Sequence, residues 1–139
     1  MGPGSANCGG SRVTLSDLRH FPLIYVGTPY SKWADGLDAA FVEASKLTAR
    51  LMQQGLKVYS PIAHMHPLAI HGDIDPLDHS IWLPFDGAMM DKADAMIVAM
   101  MKGWDESKGV RHEIEFFAAA GKPIFFLNPI DFSVFTAAA

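Results

Sequence analysis

The sequence predicts a three-layer α/β fold with a mainly parallel sheet, of the flavodoxin or Rossmann-like kind. Short apolar runs such as residues 95–100 are typical of strands that are buried on both faces. Stretches with apolar residues at helical spacing, such as residues 37–51, separate these runs along the chain. Strands that alternate with helices favour parallel pairing, and such sheets bind ligands beyond the carboxyl ends of their strands.

The composition indicates one cytoplasmic domain that acts as an enzyme or a binding module. The chain has 139 residues, of which 50% are hydrophobic and 19% are charged, which is enough for one core and excludes a disordered chain. A net charge of −4 without any Lys/Arg run argues against a nucleic-acid polymer as partner. No apolar stretch is long enough to span a membrane, and no secretory signal is visible. The single Cys8 cannot form an internal disulfide.

Residues 1–20 are expected to form a flexible segment before a single domain at residues 21–139. The first eleven residues are rich in Gly, Ser and Pro, which cannot bury a face. Residues 1–5 are typical of a cloning remnant, and residues 12–20 carry no clear pattern.

The first half of the domain predicts strand, helix and strand. Residues 23–26 form an apolar run that ends at Gly27, and a second strand is predicted over residues 57–60. The helix between them covers residues 37–51, with Asp35 as its candidate N-cap.

The second half begins with residues 61–80, which hold four of the six His residues and three Asp residues. Their weak periodicity predicts an irregular, partly helical segment, and long loops in small domains are usually functional or disordered. A helix over residues 81–92, a strand over 95–100, a helix over 110–118 and a strand over 123–127 follow.

Three polar segments are expected to meet beyond the carboxyl ends of the strands, namely residues 27–33, 61–80 and 101–113. Gly27 permits a close approach of the backbone at a strand end. The sequence contains neither a dinucleotide-binding fingerprint nor a P-loop, and we expect no cofactor.

Two carboxylates are candidates for chemistry. Glu113 lies near the start of a helix, where the helix dipole favours negative charge, so we expect it to stay ionised as a nucleophile or a ligand for a sugar hydroxyl. Asp86 has apolar neighbours, and its partial desolvation is expected to raise its pKa and suit proton transfer. A solvated helical carboxylate is the alternative at both positions, and Glu115 is the comparison residue because it points elsewhere.

Tyrosine and histidine side chains are further candidates. Tyr25 and Tyr30 lie in and after the first strand, where a phenol can orient a carboxylate or stack on a base, with core packing as the alternative for Tyr25. His64 and His66 form an H-x-H pair, and imidazole is a common metal ligand. The spacing matches no established zinc motif, so we assign no metal and expect these residues to line a cleft or bind a ligand.

Three blocks of the sequence resemble the nucleoside 2-deoxyribosyltransferase superfamily, in particular its small phage and bacterial members related to nucleoside 5′-monophosphate N-glycosidases. The first block is residues 24–31, Ile-Tyr-Val-Gly-Thr-Pro-Tyr-Ser. The second is Asp86 with Asp94, which enters a strand eight residues later, and the third is residues 107–123. The resemblance covers residues 23–127.

The resemblance implies a retaining attack on an N-glycosidic bond. Glu113 matches the nucleophile, Asp86 the carboxyl group that manages the proton on the departing base, and Tyr25 the phenol that holds the nucleophile. Water would complete the reaction in a hydrolase and another base in a transferase. A non-catalytic nucleotide-binding protein, a sensor that uses the same pocket, is the alternative.

The resemblance also implies which residues bind the substrate. Ser107 stands where the transferases carry an Asp for the 5′-hydroxyl and where the N-glycosidases carry a Ser for phosphate, so the expected substrate is a nucleoside or a nucleoside 5′-monophosphate. The expected substrate-binding residues are Gly27, Thr28, Pro29, Tyr30, His64, His66, Trp82, Ser107 and Gly109.

A homodimer or higher homo-oligomer is expected, because five large aromatic residues exceed what a four-stranded core needs inside. These residues are Trp82, Trp104, Phe116, Phe132 and Phe135. The resemblance implies a site completed by a neighbouring subunit, and residues 128–139 are expected to supply that contact.

Overall fold

The computed structural model describes residues 10–137, which form six strands, four α-helices and two short 3₁₀ helices. The strands are Arg12–Val13 (β1), Ile24–Gly27 (β2), Val58–Tyr59 (β3), Ala95–Ala99 (β4), Ile124–Leu127 (β5) and Val134–Thr136 (β6). The helices are Leu37–Gln53 (α1), Pro61–Gly72 (α2), His79–Lys92 (α3) and Lys108–Ala119 (α4), and the 3₁₀ helices are Leu15–Leu18 and Trp104–Glu106.

The six strands form one sheet in the order β1-β6-β5-β4-β2-β3. Strands β3, β2, β4 and β5 are parallel, whereas β6 pairs antiparallel with both β5 and β1. The chain passes from β2 to β3 on one side and later to β4 on the other, so the strand order reverses between β2 and β4. Such a reversal is the topological switch point where flavodoxin-like sheets bind ligands.

Side chains alternate between the two faces along each strand, so the sheet has an apolar surface on both faces, and helices cover each of them. On one face, Leu47 and Leu51 of α1 pack in a core cluster with Ile24 and Ile97. On the other face, Phe117 of α4 packs with further strand residues and with the end of α3. The predicted three-layer α/β fold with a mainly parallel sheet is confirmed.

Residues 61–80 are more regular than expected, since most of them belong to α2 and to the start of α3. Ser60 is the N-cap of α2, and its Oγ accepts a hydrogen bond from the Ala63 N–H at 3.1 Å. Asp78 caps α3 in the same way, accepting from the Ser80 N–H at 3.1 Å. Both helices start at these caps. The helical spacing of their apolar residues is hard to recognise in the sequence because His, Asp and Pro residues interrupt it.

Two boundary expectations are corrected in the N-terminal half. The N-cap position of α1 is occupied by Gly36, with φ at 96° and no side-chain cap, and not by Asp35. Residues 12–20, expected to be flexible, are part of the fold: β1 pairs with β6, and Leu18 is buried. A two-residue strand and one 3₁₀ turn are too short to give a periodic signal. Residues 1–9, with the cloning remnant and Cys8, lie outside the described residues.

The basis for the expected homo-oligomer is also corrected. Residues 134–136, expected to reach a neighbouring subunit, lie as β6 between β1 and β5 of the same chain. Trp82 and Phe132 are buried, and the other three aromatic residues of that argument are partly buried. The expectation that these aromatic residues form an exposed surface is therefore wrong, and the oligomeric state stays a prediction. Among residues 10–137, no helix has both the length and the apolar character needed to cross a bilayer.

Candidate active site

A hydrogen bond between β2 and α4 forms the floor of the candidate active site. Tyr25 is fully buried, and its hydroxyl donates to Oε2 of Glu113 at 2.7 Å. Gly27 faces the same side of the sheet, and a Cβ placed there would lie 3.1 Å from Oε1 of Glu113. The absence of a side chain at Gly27 therefore leaves room for the carboxylate at the end of β2.

A cavity of about 380 Å³ opens onto this hydrogen bond beyond the carboxyl end of β2, and residues of the segments that follow β2 and β4 line it. The three polar segments that were expected to meet all contribute to it, as ligand sites at a switch point require. Its lining residues are Thr28, Tyr30, Ser31, Ile62, Met65, Pro76, Leu77, His79, Trp82, Leu83, Asp86, Met90, Ser107, Lys108, Gly109, His112 and Glu113.

The cavity has one apolar wall and one polar wall. Met65 of α2 and Trp82 of α3 belong to the apolar wall and pack in one cluster with Tyr30. The Trp82 indole donates to the carbonyl of Asp75 at 2.9 Å, which fixes the orientation of the ring. Such a wall suits a flat aromatic group, whereas the polar lining residues offer carboxylates, hydroxyls and backbone N–H groups.

Burial perturbs both candidate carboxylates. Burial raises the pKa of Glu113 to about 8, against a lowering by the Tyr25 hydrogen bond, and the charge of Asp86 raises it further. Burial likewise raises the pKa of Asp86 to about 6, which confirms the expected direction. This direction is opposite to the one that the helix dipole led us to expect for Glu113. Glu113 is the sixth residue of α4, beyond the first turn where the helix dipole acts, so burial dominates.

The start of α4 presents hydrogen-bond donors to the cavity. Ser107 is the N-cap, and its Oγ accepts from the Val110 N–H at 3.2 Å, which leaves its own hydroxyl proton free to donate. Within residues 10–137, the backbone N–H groups of Lys108 and Gly109 have no acceptor, and both residues line the cavity. An anionic group of a ligand would meet these donors together with the Lys108 side chain.

Four of the predicted substrate-binding residues do not line the cavity. Gly27 lies behind Glu113, and Pro29 is buried. His64 stacks on Phe85 with ring centroids 5.2 Å apart, and His66 is buried behind Tyr30. The other five, Thr28, Tyr30, Trp82, Ser107 and Gly109, do line it.

The two residues of the H-x-H pair serve separate contacts. His66 Nδ1 lies 2.7 Å from the Tyr30 hydroxyl oxygen, and Nε2 lies 2.6 Å from Oδ1 of Asp38. His64 instead packs beside Tyr59, with ring centroids 5.8 Å apart. In the part of the chain that the structure describes, no group of three or more His, Cys, Asp or Glu side chains is arranged to hold a metal ion.

Sequence reasoning missed the contribution of α2 and the start of α3 to the cavity. The signal in the sequence is the helical spacing of Ile62, Met65 and Ala69 after Ser60 and Pro61, which are a typical helix start. The missed lining residues are Ser31, Ile62, Met65, Pro76, Leu77, His79, Leu83, Met90 and His112. The hydrogen bond of Asp38 with His66 was also missed, because no local pattern links residues 28 positions apart.

The fold and the site define an α/β protein with paired carboxylates and a phenol at a switch-point cavity. Residues 22–128 match the model of the family described as a domain of unknown function, DUF1937, and the chain belongs to this family. No curated protein matches the sequence. Membership of this family assigns no activity, and the chemistry of the site is the evidence for function.

Proposed function

We propose that this protein cleaves or transfers the N-glycosidic bond of a nucleoside or nucleoside 5′-monophosphate through a glycosyl-enzyme on Glu113. The observation that carries this proposal is the 2.7 Å hydrogen bond from Tyr25 to Glu113 in a cavity that Asp86 also lines. The resemblance to nucleoside 2-deoxyribosyltransferases implied these three residues from separate blocks of the chain. Asp86 and Glu113 line one cavity and Tyr25 is bonded to Glu113 behind it, which supports that implication.

The proposed reaction uses the two oxygens of Glu113 differently. Tyr25 occupies Oε2, so Oε1 is the atom that attacks C1′ of the sugar. A C1′–O bond forms, the C1′–N bond breaks, and the electron pair of that bond leaves with the base, which takes a proton from the Asp86 carboxyl group. Water or a second base then attacks C1′, gives a proton to Asp86, and releases the Glu113 carboxylate.

The protonation of the pair sets the pH range of this reaction. With pKa values of about 6 for Asp86 and about 8 for Glu113, the pair holds one proton near pH 7. The reaction needs that proton on Asp86, whereas the order of the two values favours Glu113. The protonation state that the reaction needs is therefore the less populated one of the two. We therefore expect a bell-shaped profile of kcat/KM with limbs near pH 6 and pH 8.

A phosphate subsite at the start of α4 is part of the proposal. Ser107, Lys108 and Gly109 all line the cavity, and the free backbone N–H groups of Lys108 and Gly109, the Ser107 hydroxyl and the positive charge of Lys108 all favour an anion. The apolar wall with Trp82 suits the base. A nucleoside 5′-monophosphate therefore matches both walls of the cavity.

A second candidate function is a sensor that binds a nucleotide and leaves it intact. The raised pKa of Glu113 favours it, since a carboxylic acid that is protonated near pH 7 is a poor nucleophile. The two functions differ in one observable, which is the release of free base.

The deciding experiment incubates the protein with deoxynucleosides and their 5′-monophosphates and follows free base by chromatography. Base release that is lost in Glu113→Gln supports the glycosyl-enzyme, and Glu115→Gln is the matched control because Glu115 is exposed on the same helix. Binding without base release would favour the sensor. Full activity of Glu113→Gln would contradict the proposed mechanism.

A further inference from the structure

Three side chains form a hydrogen-bonded chain from the cavity to the surface. Tyr30 lines the cavity, and its hydroxyl oxygen lies 2.7 Å from Nδ1 of His66. Nε2 of His66 lies 2.6 Å from Oδ1 of Asp38, whose side chain is 88% exposed. His66 itself is only 3% exposed and stacks on Phe41 of α1, with ring centroids 4.7 Å apart.

The chemistry of the three groups determines the direction of both hydrogen bonds. An ionised carboxylate only accepts, so the Nε2 atom of His66 carries the proton that Asp38 accepts. A neutral imidazole has one N–H, and Nδ1 is therefore an acceptor. The Tyr30 hydroxyl must then donate to Nδ1, and burial helps to keep that phenol protonated by raising the pKa of Tyr30 to about 12.

We infer that the Tyr30 oxygen, with its proton committed to His66, presents only lone pairs to the cavity and selects ligands that place a hydrogen-bond donor against it. Tyr30 packs with Met65 and Trp82 in the apolar wall, where a flat base is expected to lie. The ring N–H of an oxo base is flanked by a carbonyl oxygen, which the Tyr30 lone pairs would repel, whereas an exocyclic amino group has no such neighbour on the same atom. We therefore assign aminopurines and aminopyrimidines as the preferred class. It rests on the proposed function, because it takes the ligand to be a nucleobase.

Asp38 is a positioning residue in this arrangement, because it acts on the ligand only through His66 and Tyr30. Without the carboxylate, the His66 proton can move to Nδ1, and Tyr30 would then accept from His66 and donate to the cavity. The preference for an amino group is thus a property of the whole chain of three residues. Loss of this preference in a variant differs from a general structural effect, because a structural effect would weaken the binding of every base alike.

Free bases test the inference without turnover, because they have no glycosidic bond. Dissociation constants are measured by NMR titration of the full chain at pH 8, where an ordinary imidazole is neutral. Adenine is compared with purine and cytosine with 2-pyrimidinone, since the members of each pair differ only in the amino group. A neutral hydrogen bond contributes about 0.5–1.5 kcal/mol, so the amino base should bind about 2- to 10-fold more tightly.

The variants separate the possible outcomes. Tyr30→Phe should abolish the difference within each pair, and the surface variant Asp38→Ala should reduce it while the fold is retained. Tyr59→Phe is the control, because its buried hydroxyl has no hydrogen-bond partner within residues 10–137 and should not affect the ratio. Equal binding within the pairs, or a difference that survives in Tyr30→Phe, would overturn the inference alone. Binding of none of the four bases would contradict the base pocket, and with it the proposed function.

Discussion

Removal of the Tyr25 hydroxyl isolates the contact on which the proposed chemistry depends. Tyr25→Phe keeps the ring and its packing against Phe117 and Tyr59, at centroid distances of 5.6 and 5.9 Å. The variant loses only the donor to Glu113 Oε2. Since that hydrogen bond stabilises the ionised carboxylate, its loss raises the pKa of Glu113 above about 8.

The size of the effect follows from the strength of such a bond. A hydrogen bond to a charged group contributes about 1.5–3 kcal/mol, and one pKa unit corresponds to about 1.4 kcal/mol. The alkaline limb of kcat/KM should therefore move up by about one to two pH units. The fraction of protein with Glu113 ionised and Asp86 protonated falls about 10- to 100-fold, and the maximum rate should fall with it.

Two measurements check this prediction. The pH profile of base release gives the alkaline limb, and NMR titration of ¹³C-labelled glutamate carboxyl groups gives the pKa of Glu113 whether or not the protein is active. Tyr59→Phe is the control, because that hydroxyl makes no hydrogen bond within the described part of the chain. An unmoved Glu113 titration in Tyr25→Phe, or an equal shift in Tyr59→Phe, would refute the reasoning.

Four further predictions follow from the same geometry. The pKa of Glu113 rises from an ordinary 4.5 to about 8 on folding. The contribution of this group to the free energy of unfolding is therefore highest below pH 4.5, and it falls by at most about 5 kcal/mol as the pH rises towards 8. Glu113→Gln should therefore raise the free energy of unfolding in urea at pH 9 but not at pH 4, and an equal gain at both would contradict this. Asp86→Asn should lower kcat by about 10²–10⁴-fold, with a smaller loss for bases that depart without protonation, and an equal loss for all leaving groups would count against a general acid. Gly27→Ala places a Cβ 3.1 Å from Glu113 Oε1 and 2.6 Å from Met96 Cε, so base release should fall by up to about 100-fold while circular dichroism shows a retained fold; an unchanged kcat would argue against a fixed carboxylate. Ser107→Ala should erase a preference for 5′-monophosphates in binding assays and Ser107→Asp should reverse it, whereas an unmodified protein that prefers unphosphorylated nucleosides would refute the phosphate subsite.

The sheet was predictable from the sequence because its buried strands are continuous apolar runs. Residues 95–100 and 123–127 stand out in this way, and they correspond to β4 and β5. The edge strand β1, by contrast, is two residues long and carries no period that a sequence pattern could reveal. Its place is determined by β6, which lies more than a hundred residues later and pairs with it.

The site was predictable only in part. Tyr25 and Glu113 are 88 positions apart, and no local pattern links them, so their pairing was implied by the resemblance to a family. The helix position of Glu113 suggested an ionised group, whereas burial raises the pKa of this carboxyl group. The His66 contacts with Tyr30 and Asp38 likewise depend on how α1 and α2 pack against each other, which spacing alone does not determine.

The most direct test of the central claim is mass spectrometry of the intact protein after reaction with a slow nucleoside substrate, one whose glycosyl-enzyme forms faster than water removes it. We predict a mass increase equal to one sugar residue, mapped by proteolysis to the peptide that contains Glu113 and absent from Glu113→Gln. Glu115→Gln should acquire the same adduct as the unmodified protein, because Glu115 is exposed. Base release without any adduct, continuing undiminished in Glu113→Gln, would contradict a covalent intermediate on Glu113.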